Sequence, residues 1–424
     1  MKTFKCNFNL FIKIEFSSAI IFIWLLIWIF ASPSFSQQNE IGNPGKMWIG
    51  TWTTSPQLVE ERNNPPSPGL TNNTIRQIVR ISLGGDSLRV KFTNEFSTNS
   101  VTMKEIRIAL STGNGSIDTT TQVTLLFNGK KEITMEPGST VTSDPFEFFV
   151  IPKTDIAITT YFGKTSPDVT GHPGSRTTSY ILTGNQVGKK EFVNAVTTEH
   201  WYVINGIDIK ATDESATLVV LGNSITDGRG SGTNKQNRWT DILAERLLAN
   251  PETQNIAVLN AGIGGNCVTK DCLGPSALSR FERDVLKQCK VKWLIILEGV
   301  NDIGGAQGFD GAESVAKSLI GAYEKMIDEA HSKGILVYGA TIMPFGTSFY
   351  DSEEHRLARQ IVNDWIRNSG RFDAVIDMAA IMSKADNHEI LKEEGDTGDH
   401  LHPNEEGHRM MAESVDLKLF MRKK

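Results

Sequence analysis

Thr217-Leu-Val-Val-Leu-Gly-Asn-Ser-Ile-Thr-Asp-Gly228 decides how the second half of this chain folds. Its first five residues are apolar or β-branched without a break, as a parallel strand buried on both faces requires. A glycine then ends the run and polar residues follow. Four similar runs come later: Ile256-Ala-Val-Leu259, Trp293-Leu-Ile-Ile-Leu297, Ile335-Leu-Val-Tyr338 and Ala374-Val-Ile-Asp377. Between them the apolar spacing lengthens to that of helices. Trp239, Ile242, Leu243 and Leu247 share one helical face, and Val315, Leu319, Tyr323 and Met326 another. Further helices are predicted over Glu353–Asn368 and Glu405–Met421. Gly334 stands where a helix would end just before a strand. This alternation predicts an α/β domain with a parallel sheet and helices on both faces.

Upstream of Ala216 the pattern is different. Ile75-Arg-Gln-Ile-Val-Arg-Ile-Ser-Leu83, the turn Gly84-Gly-Asp86 and Ser87-Leu-Arg-Val-Lys-Phe-Thr93 read as a β-hairpin. More short strands are predicted at Lys104–Leu110, Gln122–Phe127 and Asp155–Tyr161, separated by Gly, Pro, Asn and Ser. No long amphipathic helix interrupts them. Many short strands with frequent turns predict an all-β domain, a β-sandwich or jelly roll. At about 150 residues per domain, 424 residues accommodate two or three units. The expected division is a β domain over 48–209 and a catalytic α/β domain over 210–424.

The N-terminus reads as a targeting segment. Lys2, Lys5 and Lys13 precede the apolar run Ala19–Ala31, and Ser34-Phe-Ser36 follows it. The run falls short of the roughly 20 residues a membrane span needs. A signal peptide cleaved after Ser36, then a linker over 37–47, is expected, with an uncleaved N-terminal anchor as the alternative. A secreted or periplasmic protein with no stable membrane insertion follows from that reading. Of four cysteines, Cys6 leaves with the signal. Cys267, Cys272 and Cys289 then allow one disulfide and one free thiol. Cys267 and Cys272 are the first candidates by proximity, with three reduced thiols as the alternative. A net charge of -6 argues against a nucleic-acid partner, which would need a basic face.

Sites in open α/β sheets gather at the carboxyl ends of the strands. The segments there are Gly222-Asn-Ser-Ile-Thr-Asp-Gly228, Asn260-Ala-Gly-Ile-Gly-Gly-Asn266 and Glu298-Gly-Val-Asn-Asp302; Asp399-His-Leu-His-Pro403 lies near the C-terminus. Ser224 is a candidate nucleophile, provided a base takes its proton; otherwise it caps a turn. The backbone N–H groups of Ser224 and Gly265 and the Asn301 amide are candidate donors to an oxyanion; Gly265 and Asn301 also suit ordinary turns. Asp399 and His402, three residues apart, suit the acid and base of a triad. His400 and His402, with Asp396, Asp399 or His408, form an alternative metal-ligand set, and plain solvated loop histidines are a third reading.

Taken together and in this order, the four segments resemble those of the SGNH or GDSL hydrolases. The resemblance implies a Ser224–His402–Asp399 triad and an oxyanion hole of Ser224, Gly265 and Asn301. It also implies a flavodoxin-like three-layer α/β/α fold and neither metal nor cofactor. One departure is Asn223, where the family usually has Asp; it removes a negative charge beside Ser224. Arg229-Gly-Ser-Gly232, Arg238-Trp239, Arg280-Phe-Glu-Arg-Asp284, Gly299–Gly304, Trp48–Pro56 and Thr74–Gly85 are similar to a branch with xylan-esterase-like and arylesterase-like members and a leading β domain. Asp227, Arg229, Arg280, Arg283 and Asp284 are expected in ion pairs, and Trp48, Trp52 and Trp239 buried. The activity expected by analogy is removal of small acyl groups, acetyl first, from a plant cell-wall polysaccharide or oligosaccharide. A general carboxylesterase, lipase or arylesterase, a metal-dependent hydrolase and a non-catalytic carbohydrate-binding protein are the rivals. Oligomeric state is not legible.

Overall fold

Alternating apolar residues in the first half build two antiparallel sheets around one core, in a computed structural model that describes residues 46–421. The expected signal peptide and nearly all of the expected linker lie outside those residues. The strands used below are β1 (Lys46–Thr53), β2 (Asn73–Arg80), β3 (Gly85–Asn94), β4 (Val101–Gly113), β5 (Phe146–Val150), β6 (Asp155–Phe162), β7 (Thr170–His172), β8 (Ser179–Thr183) and β9 (Ile204–Thr212). One sheet runs β1-β9-β3-β5, and the other contains β8-β2-β6-β4. Ile49, Leu88, Val90 and Ile207 from the first meet Ile75, Val79, Ile106 and Ile158 from the second. This is the period-2 burial of a sandwich.

The hairpin expected across Gly84-Gly-Asp86 is not formed. β2 pairs with β6 and β8, whereas β3 pairs with β9 and β5. The linking segment is a corner between the two sheets. Ile81 and Leu83 are buried, and Leu83 N donates to Thr51 Oγ1 at 2.9 Å. A Cβ on Gly84 would lie 2.5 Å from the Val150 carbonyl oxygen, so this glycine serves close packing rather than an exposed turn. In the predicted strand Gln122–Phe127 only Val123–Thr124 is strand; Leu125 and Phe127 are buried in the core.

Five parallel strands follow: β10 (Ala216–Gly222), β11 (Ile256–Gly262), β12 (Val291–Leu297), β13 (Leu336–Ala340) and β14 (Ala374–Ile376). Their order is β11-β10-β12-β13-β14, a flavodoxin-like sheet. The helices are α1 (Ser224–Asp227), α2 (Trp239–Ala249), α3 (Ala277–Phe281), α4 (Val300–Ile303), α5 (Gly308–Ser332), α6 (Glu353–Asn368), α7 (Met378–Met382) and α8 (Glu405–Ser414). Val219, Leu221, Leu294 and Ile296 pack under α5 and α6. Leu218, Val220 and Ile295 point the other way, toward Trp239 and Leu243 of α2 and Met411 of α8. The result is three layers. α8 is shorter than its predicted extent to Met421: it ends at Ser414, and Asp416 then caps a separate turn at Leu417–Phe420. None of the described helices is long and apolar enough to cross a membrane.

Gly45–Lys424 forms one compact unit. The last strand of the β half ends at Thr212 and the parallel sheet begins at Ala216. The halves share packing, with Ala257 of β11 in the β core and Val258 N donating to Ser82 Oγ at 3.1 Å. The β half also reaches the carboxyl edge of the sheet, where His172 bonds to Asp227 just after β10, beside the point where the strand order reverses.

Candidate active site

β10 ends at Gly222, where a Cβ would fall 2.2 Å from Thr226 Oγ1 and 2.9 Å from the Leu297 carbonyl oxygen. Only a glycine lets the chain turn this close beneath its own next helix. Asn223 caps that turn, its Oδ1 accepting from Ile225 N at 3.0 Å. Gly228 N and Arg229 N both donate to the Ser224 carbonyl, at 3.0 and 2.8 Å. Ser224 is therefore the first residue of a one-turn helix at the sheet's carboxyl edge, and its Oγ is 2.8 Å from His402 Nε2.

His402 is buried and held from behind. Its Nδ1 is 2.7 Å from Asp399 Oδ2, while His402 N and Leu401 N donate to Asp399 Oδ1 at 2.8 and 3.0 Å. A carboxylate accepts, so Nδ1 carries the proton and Nε2 turns its lone pair to Ser224. These bonds to the ionised form hold the Asp399 carboxyl down at about 2 against its own desolvation. Burial pushes the His402 imidazole below its ordinary 6.5; the Asp399 carboxylate opposes this, and Arg229 and Arg176 reinforce it. His402 is thus a neutral base near neutral pH.

Opposite this pair lies the donor side. Gly265 has φ +71°, a left-handed conformation, and its missing side chain leaves room for Leu273, whose Cδ1 would stand 2.7 Å from a Cβ there. Asn301 Nδ2 donates to Asn266 O at 2.7 Å, and its Oδ1 accepts from Tyr350 Oη at 3.0 Å. Those two bonds fix which end of the amide is the donor and leave its second N–H for a ligand. Asp302 pins the loop after Gly265, accepting from Val268 N at 2.8 Å and Thr269 N at 3.1 Å. A Cys267–Cys272 disulfide closes that loop, and Cys289 is the free thiol among the described residues. Ser224, Gly265, Asn301 and His402 line one cleft of about 590 Å³.

Buried charges fasten the two halves beneath this cleft. Arg280 donates to Asp284 at 2.9 Å, Ser55 Oγ at 3.0 Å, the Ala261 and Gly222 carbonyls at 2.7 and 3.1 Å, and Asn266 Oδ1. It thus ties the β half, the end of β10 and the loop after β11 together. Arg283 bridges Asp284 and Glu95. His172 of β7 is a second tie. Its Nδ1 donates to Ser55 O at 2.9 Å, and its Nε2 is 2.7 Å from Asp227 Oδ1, with both side chains 4% exposed. Asn223 Nδ2 donates to Glu298 Oε2 at 3.2 Å, so the amide standing in place of the usual acid meets a buried carboxyl. Burial pushes Glu298 up to about 8, with Arg280 opposing and Asp302 reinforcing.

The sequence-derived residues Ser224, Gly265, Asn301, Asp399 and His402 are brought together in this cleft. His400 and His408 are turned elsewhere. His400 Nδ1 is bonded to Asp396 at 2.6 Å, and His408 Nε2 donates to Arg229 O at 3.1 Å. Among the described residues no group of three or more His, Cys, Asp or Glu is arranged to hold a metal. Trp52 and Trp239 are buried, and Trp48 lies under the Arg89 guanidinium at 4.5 Å. His172, Tyr350 and Phe349 were missed by sequence reasoning. Only the aromatic pair Phe349-Tyr350, soon after β13, carried any signal.

Residues 220–410 match the model of the GDSL-like lipase/acylhydrolase family. No curated protein matches the chain. Among solved structures, a member of the lipolytic protein G-D-S-L family from Veillonella parvula is 21% identical, with 49% of this chain and 100% of that one covered and a TM-score of 0.37. An acetyl xylan esterase is 22% identical over 47% of this chain and 96% of its own, with a TM-score of 0.35. A catalytic mutant of an acetylxylan esterase from Geobacillus stearothermophilus is 19% identical over 49% and 97%, with a TM-score of 0.37.

Proposed function

We propose that this protein, whose residues 220–410 match the model of the GDSL-like lipase/acylhydrolase family, is a carboxylic ester hydrolase that works through an acyl-serine and removes small acyl groups, acetyl first, from polysaccharide or oligosaccharide of the plant cell wall. One observation carries the reading: Ser224 Oγ, 2.8 Å from His402 Nε2, opens into the same cleft as Gly265 and Asn301. Ser224 Oγ attacks the ester carbonyl while His402 Nε2 takes its proton. The N–H groups of Ser224 and Gly265 and the Asn301 amide hold the oxyanion. His402 returns the proton to the leaving alcohol, and water then attacks the acyl-serine by the reverse path. Leu273, set against Gly265, narrows the space beside the donors, which favours a short acyl group. The basic and apolar N-terminal sequence and the paired Cys267 and Cys272 favour a secreted or periplasmic protein.

The test is hydrolysis of p-nitrophenyl acetate, and acetate release from acetylated polysaccharide, by wild type and Ser224→Ala. Activity confined to wild type is expected. Equal activity in both removes Ser224 from the mechanism, and preference for long acyl chains without acetate release favours a general lipase.

A further inference from the structure

Three arginines gather at the cleft of a protein whose net charge is -6. Arg62, Arg176 and Arg229 all line it. Among the described residues, neither Arg62 nor Arg176 is in an ion pair, and Arg176 Nε is buried without a hydrogen-bond partner. Arg229 has only a 3.8 Å contact with Asp399, the carboxylate already bonded to His402. Two carboxylates line the same cleft, each already provided with hydrogen-bond partners. Glu60 accepts from Gln57 Nε2 at 3.2 Å and Asn63 Nδ2 at 2.6 Å, and Asp227 is held by His172. Three guanidinium groups thus share the lining with two carboxylates, and Arg62 and Arg176 are the cations there with no ion-pair partner among the described residues.

Arg176 is also firmly held. It has φ +49°, an unfavourable conformation for a residue with a side chain. The neighbouring backbone is clamped to the loop after the nucleophile. Asn234 N donates to Arg176 O at 2.9 Å, Gln236 Nε2 to Thr177 Oγ1 at 3.0 Å, and Arg238 Nη2 to Ser175 O. Strain maintained at a cleft wall points to a ligand-facing role. In the same lining Phe349 is 72% exposed, its ring 4.4 Å from that of Tyr350, whose hydroxyl orients Asn301. An exposed aromatic face beside the oxyanion donors suits the apolar face of a sugar ring.

We propose that the acylated sugar is itself an anion: a uronic-acid unit whose carboxylate is read by Arg62, Arg176 and Arg229 while its ring lies on Phe349. This rests on the esterase reading above. Guanidinium groups match a carboxylate with paired hydrogen bonds.

The test compares two matched esters, methyl 3-O-acetyl-galactopyranosiduronate and methyl 3-O-acetyl-galactopyranoside, which differ only in the C6 carboxylate. At low ionic strength kcat/KM is expected to favour the uronate by about tenfold or more, the worth of one charge-assisted contact. That ratio is expected to shrink in roughly 0.5 M NaCl, which screens exposed charges. Arg62→Gln and Arg176→Gln are each expected to lower the ratio severalfold; Arg62, on an exposed turn, is the safer variant should Arg176→Gln not fold. Free galacturonate is expected to compete better than galactose. Equal rates on both esters, with no salt dependence and with p-nitrophenyl acetate still cleaved, overturn the anion proposal alone. Failure to cleave any of the three esters overturns the esterase reading and this proposal with it.

Discussion

Replacing Glu298 with glutamine isolates one buried proton beside Asn223. The Glu298 carboxyl is raised from 4.5 to about 8 by burial. Between those values the folded protein holds a proton that the unfolded chain releases, so stability falls as pH rises. Each pH unit in that span costs about 1.4 kcal/mol. His408 acts in the opposite sense: burial lowers it from 6.5 to about 4, so its contribution rises with pH and is complete above 6.5. The window from pH 6.5 to 8 therefore reports Glu298, and wild type should lose about 2 kcal/mol across it. The Glu298→Gln side chain cannot ionise, and its amide oxygen can still accept from Asn223 Nδ2 and Gly299 N as Glu298 Oε2 does. Urea unfolding of wild type and Glu298→Gln at both ends of that window measures the difference. Wild type should weaken and the variant should not. Equal pH slopes in the two proteins would refute a proton on Glu298.

Three further outcomes follow from the same geometry. Asn301→Ala should lower kcat on p-nitrophenyl acetate by about 10²–10³ with little change in KM, whereas Tyr350→Phe, which only loosens Asn301, should cost about tenfold or less; equal losses would mean Tyr350 does more than orient. The acid limb of kcat/KM should fall below pH 6.5, because a base with a lowered pKa stays neutral further into acid; a limb above 6.5 would contradict the burial of His402. Arg280→Met should destabilise the folded protein by about 3–5 kcal/mol in thermal or denaturant unfolding, since its buried acceptors lose their donor; an unchanged melting temperature would remove Arg280 as the tie between the halves.

The parallel sheet was legible because each buried strand is a contiguous apolar run, as in Thr217–Leu221 and Trp293–Leu297. The candidate site residues were legible for a related reason: each sits within a few residues of a strand end or, for Asp399 and His402, in one short loop. What escaped depends on contacts between distant segments. The His172–Asp227 tie joins residues 55 apart, and Tyr350 meets Asn301 across 49. The supposed hairpin at Gly84 failed because Ile81 and Leu83 are buried at a sheet-to-sheet corner, and local turn chemistry cannot distinguish that from a reversal within one sheet. Asn223 was visible as a departure, yet its meaning came only from Glu298, its partner at 3.2 Å.

The proposed chemistry requires the imidazole at residue 402 to make the hydroxyl at residue 224 reactive. Mass spectrometry after treatment with an active-site-directed phosphonate tests it most directly. One adduct is expected, on the peptide carrying Ser224, formed by wild type and lost in His402→Ala. An ester-cleaving wild type left unmodified at Ser224, or a His402→Ala variant labelled there as fast as wild type, would contradict it.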